Sequence, residues 1–527
     1  MDWRRIAATG ARPPSLCEHP RVRRALLLTT LLALLLPAAA AAAPKPGALS
    51  AGDPLFPQIG NGGYDALHYE IDLDYDPAAN ALRAGTRTTI TAEATHDLSS
   101  FGLDFQRDLA IAGVSVDGAP ASFARRDAKP RLSRSRKVTQ PAKLIVTPAA
   151  PLAKGSRFTV VVEYSGTPKP IVDLDHTEEG WVRACSKSGS CDGSFTVNEP
   201  IGAQSWFPSN NHMSDKATFA TSITAPDGYT ALGAGDLAST TPAGDGRTTW
   251  RWVESHPTAT YLTTATTGRY DFTTGSMHER TSGATLPLYG AITSDGPKKR
   301  RDVVARNTRD IPAMVNFLAK RFGAYPFGSV GFVSGWVPAI GYALENQTKP
   351  HFAGTEKGPE VNRPELLHEL AHQWMGDDVT GRTWQQIWFN EGWATFAEVY
   401  WGAKVNDSGQ SPPQFFRRVL EIDKKEYRRP PADLGSPLHL FDAVPVYNRP
   451  GAMIEGYREI VGNHRFFAFA RKLTGQHRYG TISEGEFVKA AKRASGLGRG
   501  GERRLGGYFR QWLHRAGKPR ITPADFR

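Results

Sequence analysis

The chain has 527 residues, 40% of them hydrophobic and 22% charged, with a formal net charge of +12. This length exceeds one ordinary core and predicts two or three domains, while the composition excludes a disordered or fibrous chain. Lysines and arginines are scattered along the sequence, without the concentration on one element that nucleic-acid binding needs, so no nucleic-acid partner is expected.

The first readable element is "RVRRALLLTTLLALLLPAAAAAA" over residues 21–43. Arg21, Arg23 and Arg24 precede an apolar run from Ala25 to Leu36, and small alanines follow. This pattern predicts a signal peptide over 1–43, short for a membrane span. An uncleaved N-terminal anchor is the alternative. No other segment is apolar enough to cross a bilayer, so a secreted, extracellular protein is expected, with no stable membrane span after cleavage. Cys17 falls in the leader; Cys185 and Cys191 sit in "RACSKSGSCDG". Two cysteines in an exported chain suggest a disulfide, with free thiols as the alternative.

Residues 44–62 are rich in Pro, Gly and Ala and read as a linker. From 63 to 270 the pattern alternates. "YEIDLDY" sets Tyr69, Ile71, Leu73 and Tyr75 against acidic residues, and "TRTTITAEA" and "FTVVVEYSG" repeat the theme between turns. Short alternating strands with turn residues between them predict an antiparallel β domain. From 271 to 527 the helical period dominates. Met314, Phe317, Leu318 and Phe322 share a helix face that starts or kinks at Pro312 and stops at Gly323. Ser483 with Glu486 forms a capping box, and Leu505, Tyr508, Phe509 and Trp512 make an apolar face read as core. The fold class expected is multi-domain, a β domain followed by a mainly helical α+β domain.

Within the second part, "LLHELAHQWMGDDV" (366–379) puts His368 and His372 four residues apart, with Glu369 between them. On a helix beginning near Pro364 both imidazoles lie on one face and can bind one Zn²⁺. A random chain of this composition would hold about 0.02 copies of the pattern. The alternative is a pair of surface or core histidines. Glu391 lies 19 residues past His372, in the apolar, aromatic "IWFNEGWATFAEVYW". A carboxylate in such a buried helix is costly unless paired or metal-bound. Two histidines and one glutamate leave a fourth position open, which is a catalytic arrangement. Glu398, seven residues on, can orient a ligand histidine from behind; a surface salt bridge is the plain alternative.

"HELAHQW" followed by "NEGWATF", with eighteen residues between His372 and Glu391, resembles the zinc aminopeptidase family of the gluzincins, the aminopeptidase N and leukotriene-hydrolase-like metallopeptidases. "YALENQT" (342–348) is similar to that family's exopeptidase motif, "EPIGAQSWFPSNNHMSDKATF" (199–219) to the stretch where its N-terminal domain reaches the active site, and "VYNRPGAM" (446–453) to the segment of its catalytic tyrosine. The resemblance runs from about Gly60 to Pro519. It implies a saddle-like N-terminal β domain, a thermolysin-like catalytic domain and one zinc per chain. Of the residues, it implies His368, His372 and Glu391 as zinc ligands, Glu369 as general base, and Tyr447 as oxyanion stabiliser. Glu345 and Glu199 would bind the substrate's free α-amine, and the backbone at Ala343 would lie along the peptide. Partners would be peptides with a free N-terminus. Without the motif, Tyr447 would read as a core tyrosine.

Some positions depart from the family pattern. Tyr342 and Leu344 replace the motif's glycine and methionine, Gln204 a common arginine, and Asp377 the usual asparagine after the zinc helix. Arg449-Pro450 stands where a lysine usually precedes the glycine, so a one-residue shift after Tyr447 is expected. The sequence ends soon after the catalytic region, so the large helical C-terminal domain of many relatives is expected to be absent. Two other readings remain open: a thermolysin-like endopeptidase without an amine anchor, and a zinc-stabilised binding protein without turnover.

Overall fold

The computed structural model describes residues 43–185, 189, 191–405 and 410–527. The expected signal peptide lies outside the described residues, except for Ala43. Among the described residues no helix is long and apolar enough to cross a membrane.

An N-terminal β-rich domain is followed by a helical catalytic domain. Alternation governs the first. In β1 (Tyr64–Asp76), Tyr69, Ile71, Leu73 and Tyr75 are buried, while Glu70, Asp72 and Asp74 stay half-exposed between them. β1 lies within a nine-stranded sheet. It pairs antiparallel with Arg87–Ala94 and parallel with Lys216–Pro226. That parallel pair departs from the purely antiparallel expectation; its two strands are joined by a long excursion through two further sheets, not by a hairpin. One of those sheets contains the hairpin of β2 (Glu178–Cys185) and β3 (Cys191–Val197), where Cys185 and Cys191 face each other and are joined by a disulfide.

Residues 44–62 are not a free linker. Lys45–Pro46 pairs with the strand Leu98–Asp104, and Leu55, Phe56 and Ile59 are buried in a cluster with Met213 and Trp384. Asp53 fixes the segment. Its Oδ1 accepts from the Leu55 and Phe56 amides at 2.8 and 2.9 Å, and its Oδ2 accepts from the Trp384 amide at 2.7 Å. The same Oδ2 lies 3.1 Å from His212 Nε2. The Pro/Gly-rich composition concealed three apolar side chains sufficient to anchor the stretch.

The second part opens with β4 (Tyr270–His278), at the edge of a five-stranded sheet whose other edge is the short strand β5 (Ala343–Leu344). Helix α1 (Ile311–Phe322) starts with Pro312 in its first turn and ends at Gly323, whose φ of 110° no ordinary side chain adopts easily. Its buried face joins the main helical core. That core also holds α2 (Arg363–His372), α3 (Ile387–Lys404) and α4 (Arg449–His477), together with Leu505, Tyr508, Phe509 and Trp512. The capping box at Ser483 and Glu486 is formed.

Candidate active site

Helix α2 is positioned at its start by Asn362, whose side chain accepts from the Glu365 amide at 2.9 Å, and by Pro364 in the first turn. His368 and His372 therefore stack one turn apart, with ring centroids 4.9 Å from each other. Helix α3 is apolar almost all round and buried, and it brings Glu391 to them. Glu391 Oε2 is 3.0 Å from His368 Nε2 and 3.4 Å from His372 Nε2.

Burial opposes charge here, yet the two imidazoles hold the Glu391 carboxyl down to about 2. Against the same burial, Glu345 and Glu391 push His372 up to about 9. The donor set, two nitrogens and one carboxylate oxygen converging at this spacing, fits zinc. The far ring nitrogens are also supported, which fixes the ring orientations. His368 Nδ1 lies 3.3 Å from Glu398 Oε2, and His372 Nδ1 lies 3.2 Å from the Met375 carbonyl.

A cavity of about 300 Å³ opens over this cluster, and Glu369, Tyr447, Glu345, Glu199 and Ala343 all line it. Burial pushes Glu369 up to about 8, against the pull of His368 and His372. The Tyr447 ring centroid is 6.1 Å from that of His368. Tyr447 lies in a π-helical turn, Ala443–Asn448, directly before α4.

Glu345 and Glu199 are both buried, at 2% and 8% exposure. Burial, and then Glu345, push Glu199 well above the usual carboxylate range, and its Oε1 has no hydrogen-bond partner. An unpartnered carboxylate oxygen in a cavity is a site for a cation.

Several residues that hold the site carried no sequence signal. Tyr261 donates to Glu345 Oε1 at 3.3 Å. Gln373, the residue after α2, donates from Nε2 to the Glu345 carbonyl at 3.0 Å and accepts the Thr348 amide at 2.8 Å. It clamps the exopeptidase-like segment to the metal helix. Asp175, Thr177 and Phe441 line the cavity although none of them lies within a motif. Tyr342 does not lie loose across the cleft: its hydroxyl donates to the Glu178 carbonyl at 2.9 Å. Asp377 is fully buried, and neither carboxylate oxygen has a partner. Burial, then Glu345, push it well above the carboxylate range.

Two family models match the chain: the peptidase M1 N-terminal domain over residues 65–262 and the peptidase family M1 domain over residues 358–512. Aminopeptidase N of Streptomyces lividans is 26% identical over 355 residues, covering 63% of this chain and 39% of that protein. Human glutamyl aminopeptidase is 27% identical over 211 residues, 38% of this chain and 21% of that protein. The matches thus span less than half the length of these curated relatives. A crystal structure of an M1 zinc metallopeptidase from Deinococcus radiodurans superposes with a TM-score of 0.74 at 25% identity, covering 90% of this chain and 98% of that one. A mutant of the same protein, bound to a Tyr-Ser-Ala substrate, matches with a TM-score of 0.73 at 25% identity, over 90% of this chain and 99% of that one.

Proposed function

The chain belongs to peptidase family M1, and on that premise we propose that it is an exported zinc aminopeptidase that removes N-terminal residues from peptides. We divide it into a β domain over 63–270 and a catalytic domain over 271–527. His368, His372 and Glu391 hold the metal, one per chain. When bound, zinc supplies a Lewis acid that polarises the scissile carbonyl and lowers the pKa of water. Glu369 takes the proton of the attacking water and passes it to the leaving amine. The Tyr447 hydroxyl donates a hydrogen bond to the carbonyl oxygen as it becomes negative. Glu345 and Glu199 grip the substrate's ammonium, so only one residue fits between that grip and the reacting carbonyl. β5 is a sheet edge, and its backbone at Ala343 can pair with the peptide.

The observation that carries the exopeptidase reading is the buried, unpartnered Glu199 carboxylate in the same cavity as Glu345. Export is supported by the arginine-led apolar run over 21–43 and by the Cys185–Cys191 disulfide. The test compares a peptide carrying a free N-terminus with its N-acetylated form, with and without a chelator. Only the free form should be cut, and only without chelator. Equal cleavage of both forms would establish the endopeptidase reading in its place.

A further inference from the structure

The cavity that holds Glu345 and Glu199 is also lined by Ile340, Tyr342 and Phe441, and by the solvent-exposed Asp175. Asp175 belongs to a tight turn between the strand Ile171–Val172 and β2. The turn is fixed at several points. The Asp173 amide donates to the Thr177 carbonyl, and the His176 amide to the Asp173 carbonyl, each at 3.0 Å. His176 holds a φ of 69°. Asp175 Oδ1 accepts from both the amide and the hydroxyl of Thr177, at 3.0 and 2.7 Å. Among the described residues this leaves Oδ2 without a hydrogen bond. Behind it, burial and the Asp175 charge push Asp173 up to about 7. Tyr342 ties the opposite wall to the same strand through the Glu178 carbonyl. Among the described residues, no lysine or arginine lines the cavity.

We propose that Asp175 selects peptides whose first residue has a cationic side chain, arginine or lysine, and that acidic first residues are excluded. This rests on the aminopeptidase reading above. With the α-ammonium held by Glu345 and Glu199, the first side chain runs along an apolar and aromatic wall. A long aliphatic stem packs there, and a guanidinium can also lie against an aromatic face. Its charged end then meets the free oxygen of Asp175 at the solvent boundary. An acidic side chain would instead bring its negative charge against Asp175, with no lysine or arginine of the described lining to pair with it.

The experiment measures kcat/KM for arginyl, citrullinyl, leucyl and glutamyl chromogenic substrates with wild type and Asp175→Asn. Citrulline has nearly the shape of arginine without its charge, and asparagine keeps the acceptor that Thr177 uses, so the turn should persist. Wild type should favour arginyl over citrullinyl by about fivefold, the size expected of one partly exposed ion pair. Glutamyl should be the poorest substrate. Asp175→Asn should bring the arginyl-to-citrullinyl ratio to near unity. A wild-type ratio already near unity, or a ratio unchanged in the variant, overturns the assignment of Asp175. Release of no residue from any of the four substrates would instead overturn the aminopeptidase reading.

Discussion

Glu398 stands behind His368, with a half-exposed carboxylate 3.3 Å from Nδ1. As an acceptor for the ring N–H it fixes which nitrogen faces the metal, so Glu398→Gln should weaken zinc binding by about 10- to 100-fold. Competition with a chelator of known affinity measures this directly. Glu369→Gln should behave in the opposite way: zinc content stays near one per chain while hydrolysis falls to background. Surviving activity would move the base elsewhere. The convergence of His368, His372, Glu391 and Glu398 was legible in the sequence because a four-residue spacing and a charged residue in an apolar run each have few innocent explanations. Tyr261 and Gln373 were not. A lone tyrosine in "TATYLTTATT" carries no pattern, and its contact with Glu345 exists only because sequence-distant segments meet.

At the level of elements, the site depends on how closely α3 and α4 approach. A Cβ on Gly392, the residue after Glu391, would lie 2.6 Å from Pro450 Cβ. A Cβ on Gly451 would lie 2.9 Å from Thr395 Cγ2. The two glycines let the helices touch, and this sets Glu391 beside Tyr447. Gly392→Ala should therefore cost about 1–3 kcal/mol, the usual penalty for overpacking. It should also lower kcat, because relieving the clash separates the metal ligand from the tyrosine. Denaturant unfolding and steady-state kinetics on one preparation check both. The helices themselves were readable, since caps, prolines and a 3.6-residue period agree in α1 and α2. The π-turn at Tyr447 had no sequence signal of its own. The segment 44–62 was misread because composition reports average polarity, whereas Leu55, Phe56 and Ile59 act individually.

Across the whole molecule, the polar contacts that join the β part to the helical part include those of Lys216 and Asp53. Lys216 donates from Nζ to the carbonyls of Asp377, Asp378 and Gly480, at 2.7, 3.0 and 3.1 Å. Asp53 links the N-terminal segment, His212 and the Trp384 amide. Burial raises the Asp53 carboxyl, but the His212 hydrogen bond and the Phe56 and Trp384 amides outweigh it and hold the group below its ordinary 3.8. The unfolded chain then takes up the proton first. The stability Asp53 contributes is present above pH 3.8 and is lost as pH falls through its lower folded value. Asp53→Ala should cost about 3 kcal/mol at pH 7, because it strands buried donors. It should also flatten the loss of stability on the acid side; urea midpoints from pH 7 down to pH 3 would show both effects. An unchanged acid limb would remove Asp53 from the linkage.

Glu199 comes from the first domain and Glu345 from the second, so the calliper proposed to measure a peptide's end has its jaws cut from separate pieces. Its accuracy is then that of the joint between the pieces. Loosening the joint at Lys216 or Asp53 would blur where the chain is clipped before it slowed the clipping.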